Sequence, residues 1–474
     1  MSKLFGLGSI LLALAAPVVA ADASPAMFGG TPSRNMVSSE KDAPAEWDVS
    51  SGKNIKWKVK LGSQTYAGPV VHDGIVYVGT NNEGLLREPI QGDKGVIMAF
   101  RASDGEFLWQ ATHDKLGAGR VNDWPLQGIC STPFIEGNRV YYLSNRAEIV
   151  AVDTKGFSDG NQGYQDEVYK DEKDADIIWI YDMIGELDVF PHNLAASSPL
   201  VVGDLVFITT GNGVDEGHVN VPSPLGPSFV AVNKKTGKLA WESSLPGEAI
   251  LHGTWSNPTF GVAGGREQVV FPGGDGWIYS FEPKSGELIW KFDANPKDSI
   301  WELGGSGTRN NIISTSVFYD GKVFVGVGQD PEHGEGPGHL WAIDASLTGD
   351  VTDSAKIWHF GGEDFHRTIS TSAIHDGMLY ISDISGFLYG LDVETGEHLW
   401  THDTFAAIWG SPMVVDGMIY LGDEDGDIVI LEEGREEKIL AEYNMGGAVY
   451  TTPTFLDGVM YVATRSELFA IAVE

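Results

Sequence analysis

One pattern recurs along this chain and restricts the folds that it can adopt. Each copy has a short apolar strand, a polar turn that ends in Gly, a second strand and a terminal Trp. Uninterrupted copies are IMAFRASDGEFLW (97–109), FVAVNKKTGKLAW (229–241), WIYSFEPKSGELIW (277–290) and FLYGLDVETGEHLW (387–400). Interrupted copies are EIVAVDTKG (148–156) with IIW (177–179), and LWAIDASLTGD (340–350) with KIW (356–358). Self-similarity of this kind is typical of repeat architectures, in which stacked units share one continuous core.

A second pair of strands precedes each of these units. Asp-Gly between two β-branched runs favours a tight hairpin, and SPMVVDGMIYLG (411–422) and TPTFLDGVMYVA (452–463) show it best. Every unit is therefore predicted to hold four short antiparallel strands, which we label A to D. Counting the A–B hairpins from AGPVVHDGIVYVG (67–79) to the hairpin at 452–463 gives eight units.

The B strands predict how these units are arranged. Runs such as IVYV (75–78) and VFV (323–325) are apolar on both faces, so each strand must be covered on both sides. Blades stacked face to face around an axis provide that cover. The sequence therefore predicts an all-β fold, a single eight-bladed β-propeller of four-stranded antiparallel blades within residues 51–474. The recurrent Trp is predicted to be a wedge between neighbouring blades.

The last unit and an early segment complement each other. ELFAIAVE (467–474) is a C strand without a D strand after it, while NIKWKVKL (54–61) is unpaired and carries its own Trp57. We predict that the early segment is the missing D strand and closes the ring, which leaves no open sheet edge. Residues 21–50 are predicted to be an extended N-terminal segment.

The first twenty residues have the layout of a secretory signal peptide. Lys3 supplies a positive charge, LFGLGSILLALAA (4–16) is the apolar stretch, and Val18-Val19-Ala20 offers a cleavage site. The apolar stretch is short for a membrane anchor, and no Cys follows it to carry a lipid. We therefore expect a periplasmic or secreted protein without a transmembrane segment.

The cysteine count and the charge exclude several classes of function. Cys130 is the only cysteine, which excludes an intramolecular disulfide, a thiolate zinc cluster and CxxCH haem attachment. The net charge of −35 makes nucleic acid and anionic lipid unfavourable partners. The sequence thus predicts an acidic protein whose partners are small molecules or other proteins.

Chemically distinctive side chains are concentrated in one class of loop. The A–B turns and most C–D turns are plain, whereas the D–A and B–C connections are rich in His, Trp and charged residues. Eight histidines fall in or beside these connections: His113, His192, His218, His252, His333, His339, His366 and His402. In a four-stranded blade the B–C and D–A connections share one face of the disc. We therefore predict a binding site on this loop-rich face.

The repeat, A-x-D-x-x-T-G-x-x-x-W in varied form, resembles the PQQ-repeat family from about residue 55 to the end. One branch of that family comprises eight-bladed quinoprotein alcohol dehydrogenases, which hold pyrroloquinoline quinone (PQQ) and a metal on the propeller axis. Another comprises propellers without quinone, including the outer-membrane assembly protein BamB. Secreted PQQ-like proteins of unassigned activity are the most similar overall.

The resemblance to the dehydrogenases implies site residues. Their Pro-x-Asp-x-Trp-Asp stretch, which ends in the catalytic base, is similar to PKDSIWE (296–302). Glu302, with Asp298 nearby, is then the implied base that takes the substrate hydroxyl proton. The implied quinone-binding residues are Trp255, Trp301, Arg309, Asn310 and His366. The implied ligands of Ca²⁺ or a lanthanide are Glu216 and Asp215.

The chain also departs from that branch. One Cys cannot form the adjacent cysteine pair that covers the quinone, and no Asn metal ligand is evident near PGGDG (272–276). No basic residue clearly replaces the quinone-binding Arg, and no haem domain is present. The favoured function is binding of a small ligand or a protein partner on the loop-rich face without catalysis, with the cofactor left open. The alternatives are a PQQ- and metal-dependent alcohol dehydrogenase with Glu302 as general base, and a BamB-like outer-membrane assembly scaffold.

Overall fold

Eight four-stranded antiparallel blades surround one axis in the residues described by the computed structural model, 24–329 and 333–473. The predicted signal peptide lies outside these residues. The eight-bladed propeller predicted from the repeats is confirmed. The described residues contain one short α-helix, Met183–Leu187, and no helix long and apolar enough to cross a membrane.

Blades 1 to 4 follow one another along the chain, each in the order A to D. Blade 1 contains Val70–His72, Ile75–Asn81, Lys94–Arg101 and Phe107–Asp114. Blade 2 contains Phe134–Glu136, Arg139–Leu143, Glu148–Asp153 and Ile177–Asp182. Blade 3 contains Leu200–Val202, Leu205–Thr209, Phe229–Asn233 and Leu239–Ser243. Blade 4 contains Thr259–Ala263, Arg266–Pro272, Trp277–Phe281 and Leu288–Asp293, and Gly349–Asp350 adds a short parallel strand to its outer edge.

Blades 5 to 8 complete the ring. Blade 5 contains Val317–Tyr319, Lys322–Val327, Pro337–Asp344 and Lys356–His366. Blade 6 contains Ala373–His375, Met378–Ser382, Phe387–Asp392 and His398–Asp403. Blade 7 contains Met413–Val415, Met418–Gly422, Asp427–Glu432 and Ile439–Asn444. Blade 8 contains Thr454–Leu456, Val459–Ala463 and Glu467–Ile471, with Ile55–Lys60 as its D strand.

The ring is closed by the early strand, as the sequence predicts. Ile55–Lys60 pairs antiparallel with Glu467–Ile471, from Ile55 opposite Ile471 to Lys60 opposite Glu467. The predicted range of 54–61 differs from the observed strand by one residue at each end. Trp57 is buried, and its indole N–H donates to the carbonyl of Ala102 in blade 1, so the closing strand contacts both of its neighbours.

The recurrent Trp packs against a Gly in the C–D turn of the next blade. Trp358 of blade 5 donates from Nε1 to the Val393 carbonyl at 2.9 Å, and a Cβ on Gly396 of blade 6 would lie 2.6 Å from its ring. The same pairing recurs in Trp57 with Gly105, Trp109 with Gly156, Trp179 with Gly237 and Trp241 with Gly286. The Thr-Gly and Trp of the sequence repeat are therefore the two sides of one inter-blade contact.

This contact gives a stability prediction with a matched control. Gly396 and Gly417 have similar backbone angles, φ +72° and +75°, but a Cβ on Gly417 has nothing within 4 Å. Left-handed strain is thus common to Gly396→Ala and Gly417→Ala, and only the first substitution pushes a methyl group into a Trp ring. We expect Gly417→Ala to lower the free energy of unfolding by about 1 kcal/mol and Gly396→Ala by about 3 kcal/mol. Urea denaturation measures both, and equal losses would contradict the wedge.

A series of hydrogen bonds around the axis joins the starts of most neighbouring A strands. Thr132 Oγ1 accepts from the Gly68 amide at 2.9 Å. The Thr132 amide in turn donates to Ser198 Oγ at 3.0 Å, which links blade 2 to blade 3 in the same way. On the opposite side the Thr371 amide donates to Ser411 Oγ, and the Ser411 amide donates to Thr452 Oγ1. Ser or Thr therefore recurs before the A strands because its side chain ties one blade to the preceding blade.

Residues 24–40, here called the N-terminal strap, run around the inner edges of the A strands. Ala26 pairs with Ile135 of blade 2, and Val37–Ser38 pairs in parallel with Met413–Val415 of blade 7. Between these points the carbonyls of Pro32 and Ser33 accept from amides of blades 4 and 5. The strap lies at the A–B end of the axis, where Glu40 accepts from the amide of Asp457 in an A–B turn.

Arg34 fixes the middle of the strap. Its side chain is fully buried and donates to four carbonyls, those of Phe28, Ser198, Pro199 and Pro258. Three of these carbonyls belong to the starts of blades 3 and 4, so one guanidinium connects the strap to two blades.

Candidate functional site

A cavity of about 650 Å³ occupies the propeller axis between the strap and the loop-rich face. Aromatic side chains form its wall toward the loop-rich face: Tyr66, Trp255, Trp409 and Tyr450. Tyr66 and Tyr450 are stacked with ring centroids 5.1 Å apart, and Trp409 lies 5.4 Å from Tyr450. Below them the wall includes the polar side chains of the inter-blade series. The lining among the described residues includes no Lys or Arg.

Cys130 also lines this cavity. Burial raises the pKa of its thiol to about 12, so the thiol stays protonated at neutral pH. A protonated thiol is a poor nucleophile. Covalent chemistry at Cys130 is therefore disfavoured.

Three histidines converge beside the cavity. His218 Nε2 lies 3.1 Å from His192 Nε2 and 3.2 Å from His252 Nε2, and a ligand nitrogen from each ring lies within 4.8 Å of the other two. His192 and His252 are buried, and His218 is partly exposed. The ring of His333 packs edge-on against His252 at 4.9 Å, and its Nε2 donates to the Gly304 carbonyl at 2.6 Å.

The backbone brings these histidines together from three connections. Residues 211–214 form the centre, and antiparallel bridges link Asn212 to Pro191 on one side and Gly213 to Gly253 on the other. These bridges place the D–A connections that carry His192 and His252 on either side of the B–C loop that carries His218. Position 213 requires glycine, since a Cβ there would lie 2.7 Å from His192 Cβ.

Asp215 and Glu216, the metal ligands implied by the family resemblance, lie in the turn before His218. Asp215 accepts from the amides of Val219 and Asn220 and from the side chain of Asn220, and these hydrogen bonds lower the pKa of its carboxyl group. Glu216 is exposed and lies 3.7 Å from Arg120. In this structure the two acidic residues shape and flank the turn that positions His218, which itself adopts φ +55°.

The segment 295–311 packs over the histidines through its glycines. A Cβ on Gly304 would lie 2.6 Å from His218 Cβ, and the Gly304 amide donates to the Leu251 carbonyl. Glu302 and Asp298, the implied catalytic residues, are exposed. Trp301 is 43% exposed and donates to the Ala249 carbonyl. The segment thus covers the histidine cluster with its backbone while its acidic side chains face solvent.

The other implied quinone-binding residues have separate environments. Arg309 is buried, pairs with Asp293 at 2.6 Å and donates to the Asp275 carbonyl. Asn310 donates to the Pro337 carbonyl and accepts from Arg367. His366 lies 3.0 Å from the buried carboxylate of Asp383. These residues are on the predicted loop-rich face, but of the implied quinone-binding set only Trp255 joins the cavity and the histidines.

Trp255 is shared by the two sites. It lines the cavity, its ring lies 5.0 Å from His252 and 6.0 Å from His192, and its indole N–H donates to the carbonyls of His192 and Leu194. The sequence predicts that all these histidines lie on the loop-rich face, but it does not distinguish the three that converge. One feature of the sequence does indicate their proximity. His192, His218 and His252 lie in the B–C loop of blade 3 and in its connections with blades 2 and 4, which are adjacent in the ring.

The sequence matches a profile of the PQQ_2 family, described as outer membrane protein assembly factor BamB, over residues 94–367 and 274–438. Together these matches cover more than half of the chain. The chain belongs to this family. The relationship that the repeat indicates is thereby confirmed, and the PQQ_2 family accounts for the blade pattern described above.

Curated relatives of this PQQ_2 chain are distant. It is 21% identical to the BamB of Moranella endobia over 414 residues, which cover 83% of this chain and 88% of that protein. It is 23% identical to the tetrathionate hydrolase of Acidithiobacillus ferrooxidans over 323 residues, or 63% of this chain. That match spans 59% of the hydrolase, less than two thirds of its length.

Two solved structures share the fold at low identity. BamB from Moraxella catarrhalis has a TM-score of 0.55 at 14% identity, and the match covers 88% of this chain and 97% of that one. A quinohemoprotein alcohol dehydrogenase from Pseudomonas putida HK5 has a TM-score of 0.61 at 14% identity, covering 94% and 80%. At this identity the likeness concerns the fold alone.

Proposed function

We propose that this PQQ_2 propeller binds a small uncharged molecule against the loop-face aromatic wall of its axial cavity, and does so outside the cytoplasm. The observation that supports the proposal is the cavity of about 650 Å³ with four aromatic side chains at its loop-face end. Small-molecule sites have volumes of roughly 300–1,000 Å³ and are mostly apolar with a few polar groups that orient the ligand.

The lining suggests the chemistry of the ligand. The aromatic rings offer flat surfaces for stacking, and the side chains of Thr132, Ser198 and Asn257 offer neutral hydrogen-bonding groups. No described lining residue is Lys or Arg, and the protein carries a net charge of −35, so an anionic ligand is disfavoured. A neutral aromatic or sugar-like molecule fits the loop-face part of this lining, since the carboxylate residues of the lining, Glu40 and Asp73, lie at the opposite, A–B end.

The dehydrogenase alternative fits the structure poorly. PQQ carries several carboxylates and would need cationic partners, whereas the described cavity lining includes no Lys or Arg, and Arg309 lies outside it in a pair with Asp293. Glu302, the implied base, is exposed rather than directed into a closed site. We therefore derive no step through the quinone.

Protein binding is a second candidate, favoured by apolar side chains exposed on the loop-rich face. Phe405, Leu225 and Val219 expose 88%, 85% and 69% of their surface in D–A and B–C connections. Together with membership of a family described as an outer membrane protein assembly factor, they support a partner that docks on this face.

The experiment is a ligand screen with matched Trp variants. A panel of neutral aromatic and sugar-like compounds is tested by saturation-transfer NMR on the wild type, on Trp409→Ala, which alters the cavity wall, and on Trp301→Ala, which lies outside it. We expect binders whose affinity falls about tenfold in Trp409→Ala and is unchanged in Trp301→Ala, because stacking on one ring contributes about 1–1.5 kcal/mol.

The proposal would be contradicted if no compound in the panel bound, or if the compounds bound Trp409→Ala as tightly as the wild type. PQQ with Ca²⁺ or La³⁺ is tested in parallel, and we expect neither bound quinone absorbance nor dye-linked alcohol oxidation. Turnover that disappears in Glu302→Gln would replace the proposal with the dehydrogenase.

A further inference from the structure

The geometry of the three converging imidazoles points to a metal. We propose that His192, His218 and His252 form a binding site for a divalent transition-metal ion of the zinc class. Two nitrogens bound to a tetrahedral zinc ion at about 2.0–2.1 Å are about 3.3–3.4 Å apart. The two Nε2 separations in this structure, 3.1 and 3.2 Å, lie within a few tenths of an ångström of that value.

The orientation of His192 supports a ligand role. Its Nδ1 lies 2.8 Å from the carbonyl of Val214, which can only accept a hydrogen bond, so Nδ1 carries the proton. In the neutral ring the Nε2 lone pair then points toward the other two imidazoles. A backbone carbonyl that fixes the tautomer of a histidine in this way is a usual partner of metal-ligating histidines.

A purely hydrogen-bonded cluster explains the arrangement less well. The Nε2 of His218 stands at hydrogen-bonding distance from two other Nε2 atoms, and a neutral ring has one proton at most to place between them. A cation at the centre accepts all three lone pairs at once.

The surroundings of the cluster are already ordered. Residues 211–214 hold His192 and His252 through bridges on both sides, and Gly304 packs against His218. His218 is partly exposed and gives an ion a route from solvent. Three imidazoles without a thiolate suit Zn²⁺, Cu²⁺, Ni²⁺ or Co²⁺ rather than Ca²⁺ or Mg²⁺. Three protein ligands leave a fourth position for water or an exogenous ligand.

The test uses the purified full chain after treatment with a chelator. Zn²⁺ affinity is measured by competition with a chromophoric chelator, and Co²⁺ is added separately to detect the visible absorption of a tetrahedral centre. We expect one Zn²⁺ per chain with a dissociation constant below about 1 μM and an intense Co²⁺ band that Zn²⁺ displaces. Ca²⁺ is not expected to compete.

Variants locate the site. His218→Gln is the main variant because this side chain is partly exposed and its loss should leave the fold intact, which thermal unfolding checks. We expect it to weaken Zn²⁺ binding about 100-fold or more, whereas His375→Gln, a partly exposed histidine paired with Glu433 on the A–B face, should leave it unchanged.

Absence of stoichiometric Zn²⁺ binding would overturn the proposal, as would wild-type affinity in a folded His218→Gln protein. Should His192→Gln or His252→Gln fail to fold, the His218 measurement still decides. The Zn²⁺ measurement and the ligand screen test the two proposals separately. The NMR screen is run on chelator-treated protein, so its outcome does not depend on a bound metal, and the Zn²⁺ titration is run without any of the screened compounds.

Discussion

Deletion of residues 51–61 is expected to abolish the stable monomer. The deletion removes the strand Ile55–Lys60 and leaves the whole edge of Glu467–Ile471 without its partner. It also removes Trp57, whose ring fills the gap beside Gly105 of blade 1. Loss of a buried Trp alone costs about 3–5 kcal/mol, and with the lost strand pairing the total approaches the whole stability of a typical domain, about 5–15 kcal/mol. Size-exclusion chromatography and thermal unfolding should show aggregation or a greatly lowered melting temperature.

Two point variants refine this experiment. Trp57→Ala keeps the strand and should lose about 3–5 kcal/mol, while Lys58→Ala, whose side chain is half exposed on the same strand, should change stability by less than about 0.5 kcal/mol. A deletion protein that remains a soluble monomer with the wild-type melting temperature would show that the strand does not close the ring.

Replacement of Arg34 by Leu is expected to lower the free energy of unfolding by about 3–5 kcal/mol. The side chain is fully buried, and its removal takes a donor from four carbonyls, three of them in buried contacts. Arg34→Lys should rescue only part of the loss, since one ammonium has three donors and cannot reproduce the planar guanidinium. Urea denaturation of the purified variants gives the free energies.

The matched control for Arg34 is Arg435. Its side chain is 56% exposed and forms a surface pair with Asp392 at 2.7 Å, so Arg435→Leu should cost less than about 1 kcal/mol. If Arg34→Leu were as mild as Arg435→Leu, the strap would not be anchored through the guanidinium. The strap would then contribute to stability mainly through its backbone pairing.

The repeating part of the fold could be predicted because every blade carries the same signals. The Asp-Gly hairpins, the doubly apolar B strands and the terminal Trp each have a local cause, and their number fixes the ring. The strap could not be predicted in the same way. Its partners, from Ile135 to Val414, are spread over most of the chain, and it has no periodic pattern of its own. Only an extended segment over residues 21–50 was predictable.

The candidate site was likewise predictable only in part. The loop-rich face follows from strand order, so its residues could be assigned to one side of the disc. Which loops touch depends on bridges such as Gly213 with Gly253, and these involve irregular backbone that has no sequence period. The family resemblance implies Asp215 and Glu216 as metal ligands, whereas the side chain that reaches the histidine cluster is that of His218, in the same turn.

The closing strand, Ile55–Lys60, has a consequence for how the protein is made. During translation, residues 37–38 and 55–60 emerge long before their partners at 413–415 and 467–471, so both early segments must wait while the intervening blades form. Until the final strand is made, the nascent propeller is an open stack with two exposed ends, and unpaired strand ends promote aggregation. The last step of assembly joins the most distant parts of the chain, and protection by a chaperone would matter most just before that step.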